Sequence, residues 1–461
     1  MTWTLKVDSP YSGEVVFEAP LLRGSAVADR VGRARRAQRA VAALSLDERI
    51  AICNRWIAAF EARSDEFARD LTLQMGKPLP ESAGEIRTMI DRAKSLIAMA
   101  PEALADDVLS PKEGFFRKIA KEPVGVVLAI AAWNYPYLIG ANSVVSGFLA
   151  GNAVLLKHSE RTPKCGDAFA ETFAAAGAPT DAIQSIHCTH DVTAQIVRHP
   201  DVDYVSFTGS VAGGRAVHQA AAGLLKPVAT ELGGKDAAYL RADADLDFTV
   251  ANIVGGACYN AGQSCCAVER IYVHESIYES VVERCVAEVK KLVMGDPLVA
   301  GTTLGPLAQP NHTDYLASQV LDAQRKGGRL LYGGRATQVN SRGRFFEPTV
   351  IAECDHMMSV MVDESFGPIV ALAPVNSDEE ASQLINDSFF GLTASIWTRD
   401  EDAAMAMAPG LKVGTVFTNR ADFLDPELPW SGHKDTGRGV SLSRHGFGPL
   451  TRLKGYHFRR L

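Results

Sequence analysis

Long apolar stretches are missing from this sequence. The longest runs, such as Val124 to Trp133, are far too short to cross a bilayer, which takes roughly 20 apolar residues. Met1 to Asp8 carries no apolar leader core, so a cytoplasmic protein with no membrane partner is expected. A surplus of positive charge is also absent. With 47 basic and 54 acidic residues the net charge is −7, which gives no footing for a nucleic acid partner. Paired C-x-x-C spacing is lacking among the eight cysteines, Cys53, Cys165, Cys188, Cys258, Cys265, Cys266, Cys285 and Cys354, and no histidine pattern accompanies them. That argues against a zinc framework, and no metal is expected. A disulfide framework is not expected either in a large chain of intracellular character. The G-x-G-x-x-G dinucleotide fingerprint, internal repeats and low-complexity linkers are missing as well.

What is present is an ordinary globular composition. The chain has 461 residues, 47% hydrophobic and 22% charged, enough for more than one domain and an ample core. Apolar residues at helical spacing predict helices over 26–44, 47–74 and 81–100, with Pro101 as the stop of the third. From Gly114 the pattern changes. Short buried strands over 124–130, 152–157 and 202–207 alternate with helices over 136–150, 163–176 and 213–222. Such alternation predicts a parallel, doubly wound α/β sheet. A second alternating region runs from Ala237 to about Asn419, and the pattern switches near Gly233.

Five blocks carry chemistry. Glu231 lies 34 residues before Cys265, in Thr230-Glu231-Leu232-Gly233-Gly234-Lys235 and Asn260-Ala261-Gly262-Gln263-Ser264-Cys265-Cys266. A thiol adds to an electrophilic carbon, and a carboxylate takes a proton from water. The spacing leaves Cys265 and Cys266 both open as the nucleophile. Asn134, in Trp133-Asn134-Tyr135-Pro136, offers a side-chain amide to an oxyanion. Phe207-Thr208-Gly209-Ser210-Val211-Ala212-Gly213-Gly214 follows a strand and opens a helix, where backbone amides attract phosphate. Lys157 to Glu160 ends the strand beside which an adenosine ribose lies in such sheets.

These blocks, together with Glu364-Ser365-Phe366-Gly367-Pro368, resemble the NAD(P)-dependent aldehyde dehydrogenase superfamily in order and spacing, over nearly the whole chain. The resemblance implies a Rossmann-like cofactor domain (1–105 and 124–233), an α/β catalytic domain (234–436) and a β-arm for oligomerisation (106–123 and 437–461). Within the arm it implies strands at 117–121 and 453–458, and a homodimer or homotetramer. It further implies Cys265 as nucleophile, Glu231 as general base, and Asn134 with the Cys265 amide as oxyanion hole. Trp133, Lys157, Glu160, Gly209, Ser210, Gly214, Leu232, Glu364 and Phe366 are implied as cofactor contacts. The implied cofactor is NAD, with NADP as the alternative; a carboxylate at Glu160 repels a 2′-phosphate.

Two departures stand out. Many relatives end in Gly-x-Gly-Arg-Glu where this chain has Gly437-Arg438-Gly439-Val440-Ser441, and a lysine found near Ser143 in some relatives is also absent. Both belong to a proton exit route there. Tyr135, Asn142, Tyr259 and Trp430 are implied at the substrate entry. Succinate-semialdehyde dehydrogenases typically carry an arginine at the position of Asn142, so its loss argues against an acidic aldehyde unless another arginine substitutes. The aromatics, with Asp422, Asp425 and Glu427, leave an amino-aldehyde open. A coenzyme A-acylating enzyme is a further alternative, disfavoured by Glu231, which that group characteristically lacks.

Overall fold

The apolar spacing of the first hundred residues folds into helices, but into four, not three. A computed structural model describes residues 3–461 and places them at Ser25–Ala43, Leu46–Glu61, Ser64–Met75 and Leu79–Ala103. The helix expected over 47–74 is broken at Arg63, whose φ of −119° and ψ of 15° are not helical. Ser45 opens the first half with a reciprocal capping box to Glu48, and Gly76 closes the second in a left-handed cap at φ 88°. Pro101 does not stop the next helix. It sits in the last turn, where few bonds remain to be lost, and Leu104 N–H still reaches the Ala100 carbonyl. An unexpected hairpin, Thr4–Asp8 with Val15–Pro20, precedes them all.

The first sheet runs in the order Gly437–Arg438, Val228–Glu231, Tyr204–Thr208, Val126–Ala131, Ala153–His158, Ile183–Ser185. All neighbours are parallel except the first pair. Successive side chains of a strand point to opposite faces, and both faces are buried here. Val126, Leu128 and Ile130 pack beneath Val27 and Val31; Val127, Ala129 and Ala131 pack beneath the helices that carry Trp56, Ile86 and Phe148. Val126–Ala131 lies between strands that continue to either side. Loops at its carboxyl end therefore open into a crevice.

The second sheet has seven strands, ordered Arg329–Tyr332, Thr349–Ala352, Ile369–Val375, Val268–His274, Asp236–Leu240, Thr393–Trp397, Thr415–Thr418. Only Arg329–Tyr332 runs antiparallel to its neighbour. Phe115–Pro123 and Thr451–Arg459 pair antiparallel as a separate two-stranded ribbon. The segment 437–461 does not all belong to that ribbon. Gly437–Arg438 pairs with Thr230–Glu231 and closes the first sheet instead. No helix among the described residues is long and apolar enough to cross a membrane.

Candidate active site

The two sheets meet along a cavity of about 700 Å³. One wall is built by a strained turn. Leu246–Cys258 ends as a helix, and Asn260, Ala261 and Gly262 then adopt left-handed backbone in succession, at φ 54°, 55° and 71°. Non-glycine residues resist that conformation by roughly 1–2 kcal/mol each, so the surroundings must enforce it. They do so with buried hydrogen bonds. Gln263 Nε2 donates to the Asn260 carbonyl at 3.0 Å, and Ala308 N–H donates to Gln263 Oε1 at 2.9 Å. Asn260 N–H donates to Glu81 at 3.1 Å. A side chain at Gly262 would strike the Gly367 carbonyl.

This turn separates the adjacent cysteines. Cys265 is half-buried and lines the cavity. Cys266 is 3% exposed, and its Sγ donates to Asp422 Oδ1 at 3.0 Å, where Ser264 Oγ also donates at 2.9 Å. A hydrogen bond with Cys265, burial and the Asp422 charge all push the Cys266 thiol well above its ordinary range. Burial pushes the Asp422 carboxyl up to about 6 against those hydrogen bonds.

Asn134 faces the turn from the loop after Val126–Ala131. Its backbone carbonyl accepts from Lys77 Nζ at 2.9 Å and from Asn260 Nδ2 at 3.2 Å. Its side-chain amide lines the cavity and meets no acceptor or donor among the described residues. Glu231 ends its strand on the same cavity. Burial raises its carboxyl above the usual range, opposed by the Ser441 hydroxyl and the Arg92 charge. Ser441 approaches without completing a well-formed hydrogen bond, and the Trp430–Ser441 bridge holds its backbone. Ser143, the other departure, bonds Ser206 at 3.0 Å.

The cofactor-side residues divide into two groups. Trp133, Gly209, Ser210, Leu232, Glu364 and Phe366 line this same cavity. Trp133 meets Phe366 edge-on at 5.5 Å, and Glu364 accepts from Gly234 N–H at 3.0 Å, its carboxyl pushed up to about 8 by burial. Ser210 caps the helix Val211–Ala221 by accepting from Gly213 N–H at 3.2 Å. Gly214 lies behind the wall, where a side chain would hit Leu232. Lys157 and Glu160 are outside this cavity, at the carboxyl end of Ala153–His158; Lys157 is buried and Glu160 exposed.

On the substrate side, Tyr135, Asn142, Tyr259 and Trp430 all reach the cavity. Two are already engaged. Lys77 Nζ sits 4.0 Å from the Tyr135 ring centre, and Asn142 Oδ1 accepts from Arg92 at 3.0 Å. Asp425 and Glu427 are exposed and do not line it. Asp422 is committed to the cysteine turn. The amino-aldehyde cage therefore lacks its acidic members. Sequence reasoning missed Arg92, Lys77, Asn260 and the role of Asp422. Arg92 had a signal, a charge placed in the buried phase of its helix; Lys77, in the loop between two helices, Asn260 and Asp422 had none.

The aldehyde dehydrogenase family model matches residues 2–455. A protein of Mycobacterium tuberculosis, strain H37Rv, named succinate-semialdehyde dehydrogenase (NADP+) 1, is 32% identical over 97% of this chain and 98% of its own length. A 3,6-anhydro-alpha-L-galactose dehydrogenase of Streptomyces coelicolor is 33% identical over 99% and 93%. The solved structure of an NAD-dependent aldehyde dehydrogenase from Sinorhizobium meliloti superposes with a TM-score of 0.95 at 33% identity, covering 99% of this chain and 91% of that one.

Proposed function

Because this chain belongs to the aldehyde dehydrogenase family, and so oxidises an aldehyde with NAD(P), we propose that Cys265 is the nucleophile of that oxidation. The carrying observation is the contrast between the cysteines. Cys265 opens to the cavity, while Cys266 is held against Asp422. Cys265 as thiolate adds to the carbonyl carbon. The free Asn134 amide and the Cys265 N–H, which has no acceptor among the described residues, hold the oxyanion. The exposed Ser210 at a helix N-terminus, with Glu364 and the Trp133–Phe366 pair in the cavity, fits a dinucleotide: amides for pyrophosphate and a carboxyl for ribose hydroxyls. When bound, the dinucleotide supplies the hydride acceptor that turns the thiohemiacetal into a thioester. Glu231 then takes a proton from water, and the acid leaves Cys265.

We assign NAD over NADP on Glu160, exposed at the strand end where it repels a 2′-phosphate. Relatives carry both cofactors in their names. Eight unpaired cysteines suit a reducing cytoplasm, and exposed Phe116, Leu453 and Phe458 on the ribbon suit a dimer or tetramer. We assign 1–105 with 124–233 to cofactor binding and 234–436 to catalysis, a division supported by the two separate sheets, the first of which Gly437–Arg438 extends. NADH absorbance with an aldehyde panel tests the chemistry. Cys265→Ala is expected to abolish turnover and Cys266→Ala to retain it; the reverse pattern moves the nucleophile.

A further inference from the structure

Arg92 is a cation in the wrong phase of its helix. Leu79–Ala103 buries Ile86, Met89, Ile90, Ala93 and Leu96, and Arg92 among them is only 4% exposed. Buried arginines are ordinarily ion-paired, because lost hydration otherwise goes uncompensated. This one forms no ion pair among the described residues. Nη1 donates to Asn142 Oδ1 at 3.0 Å and to the Leu138 carbonyl at 3.3 Å. Nε is buried with no acceptor, and no acceptor among the described residues meets Nη2. Nη1 is thus anchored, Nε is sealed in, and Nη2 alone is left open on a side chain that lines the substrate cavity. Against burial, two nearby carboxylates favour its charged form, Glu231 first and then Glu85. Glu85 is taken by Lys77 and the Tyr137 N–H, and Glu231 faces the same cavity without an ion pair to Arg92.

We infer that Arg92, held in place by Asn142, recognises the far end of the substrate, and that the preferred aldehyde carries a carboxylate there. The proposal rests on the reading of Cys265 as nucleophile. The free Nη2 donors match a carboxylate oxygen with charge-assisted hydrogen bonds. Leu138, Ile139, Leu424 and Trp430 give the stem between the two ends an apolar wall. A cationic tail is repelled by the same residue. Asn142 therefore does not mark the loss of an anion site. It supports one supplied from a different helix.

The test compares kcat/KM for succinate semialdehyde, its methyl ester and the corresponding amino-aldehyde. Wild type is expected to favour the acid over the ester by about 10- to 100-fold, the range of hydrogen bonds to charged groups. Arg92→Gln is expected to collapse that ratio, and Arg92→Lys to keep part of it. A wild type that prefers the ester, or an Arg92→Gln in which both constants fall together at an unchanged ratio, overturns the inference. Calorimetric titration of the full chain with succinate and neutral succinamide reads the anion site without turnover. Tighter succinate supports it even if Arg92→Gln fails to fold; equal affinity overturns it. Succinate binding without NADH from any aldehyde would instead sink the oxidation reading alone.

Discussion

Two buried lysine–glutamate pairs underlie the cavity, one beneath each wall. Lys77 and Glu85 lie 2.5 Å apart under the substrate wall, and Lys235 and Glu269 lie 2.6 Å apart under the cofactor wall. Each glutamate collects main-chain amides beside the cavity, Glu85 from the first turn of Pro136–Leu149 and Glu269 from a loop. Glu85 takes Tyr137 N–H at 2.9 Å, and Glu269 takes Ser365 N–H at 2.7 Å and Phe366 N–H at 2.8 Å. The lysines differ in what else they hold. Lys77 grips the backbone carbonyl of Asn134, whereas Lys235 donates to the Ser365 hydroxyl at 3.0 Å. One electrostatic device thus sets two loops, and only on the substrate wall does it reach the residue assigned to the oxyanion.

The largest expected effect comes from breaking each pair. Lys77→Met and Lys235→Met each strand a buried carboxylate, and denaturant unfolding should show about 3–5 kcal/mol lost in both. A loss under about 1 kcal/mol would mean that the pair does not hold its loop. Kinetics should then separate the walls. Lys77→Met should lower kcat by roughly 10²-fold through displaced Asn134, while Lys235→Met should raise KM for the dinucleotide. If both variants change only kcat, the comparison fails.

Asn134→Ala is expected to cost about 10²–10³ in kcat with little change in cofactor KM. An equal rise in cofactor KM would make Asn134 a general structural element. Glu231 provides a pH test of the same wall. Burial raises its carboxyl above the ordinary carboxylate value of 4.5, so its proton stays on longer as pH rises and the active base appears later. Acid release should fall, as pH is lowered, through a limb lying above pH 4.5. Glu231→Gln should abolish that limb and leave a single-turnover burst of NADH. Steady turnover with an unchanged profile would remove Glu231 as base. The smallest effect belongs to the cofactor wall. Glu160→Gln should raise NADP use relative to NAD by roughly fivefold, about 1 kcal/mol of relieved repulsion; an unchanged ratio would leave cofactor choice to other residues.

Much of the fold was legible in the sequence. Strands over 126–131, 153–158 and 204–208 fall within two residues of the expected ones, because burial on both faces writes a continuous apolar run. The break at Arg63 was not legible, since Asp47 to Gln74 keeps its helical apolar phase across it. The resemblance places Gly437–Arg438 in the arm, and two residues carry no period that could correct it; their partner is Thr230–Glu231, some two hundred positions away.

Local pattern alone determined which segments become strands and helices and which residue types are competent for carbonyl chemistry, since both are properties of neighbours in the chain. Exposure is not such a property. Cys265 and Cys266 are adjacent, yet contacts from Asp422, Ala308 and Asn134 orient the turn so that one thiol meets the cavity and the other a carboxylate. Arg92 likewise becomes an open cation in a cavity only because Asn142, on another helix, is brought to one edge of its guanidinium.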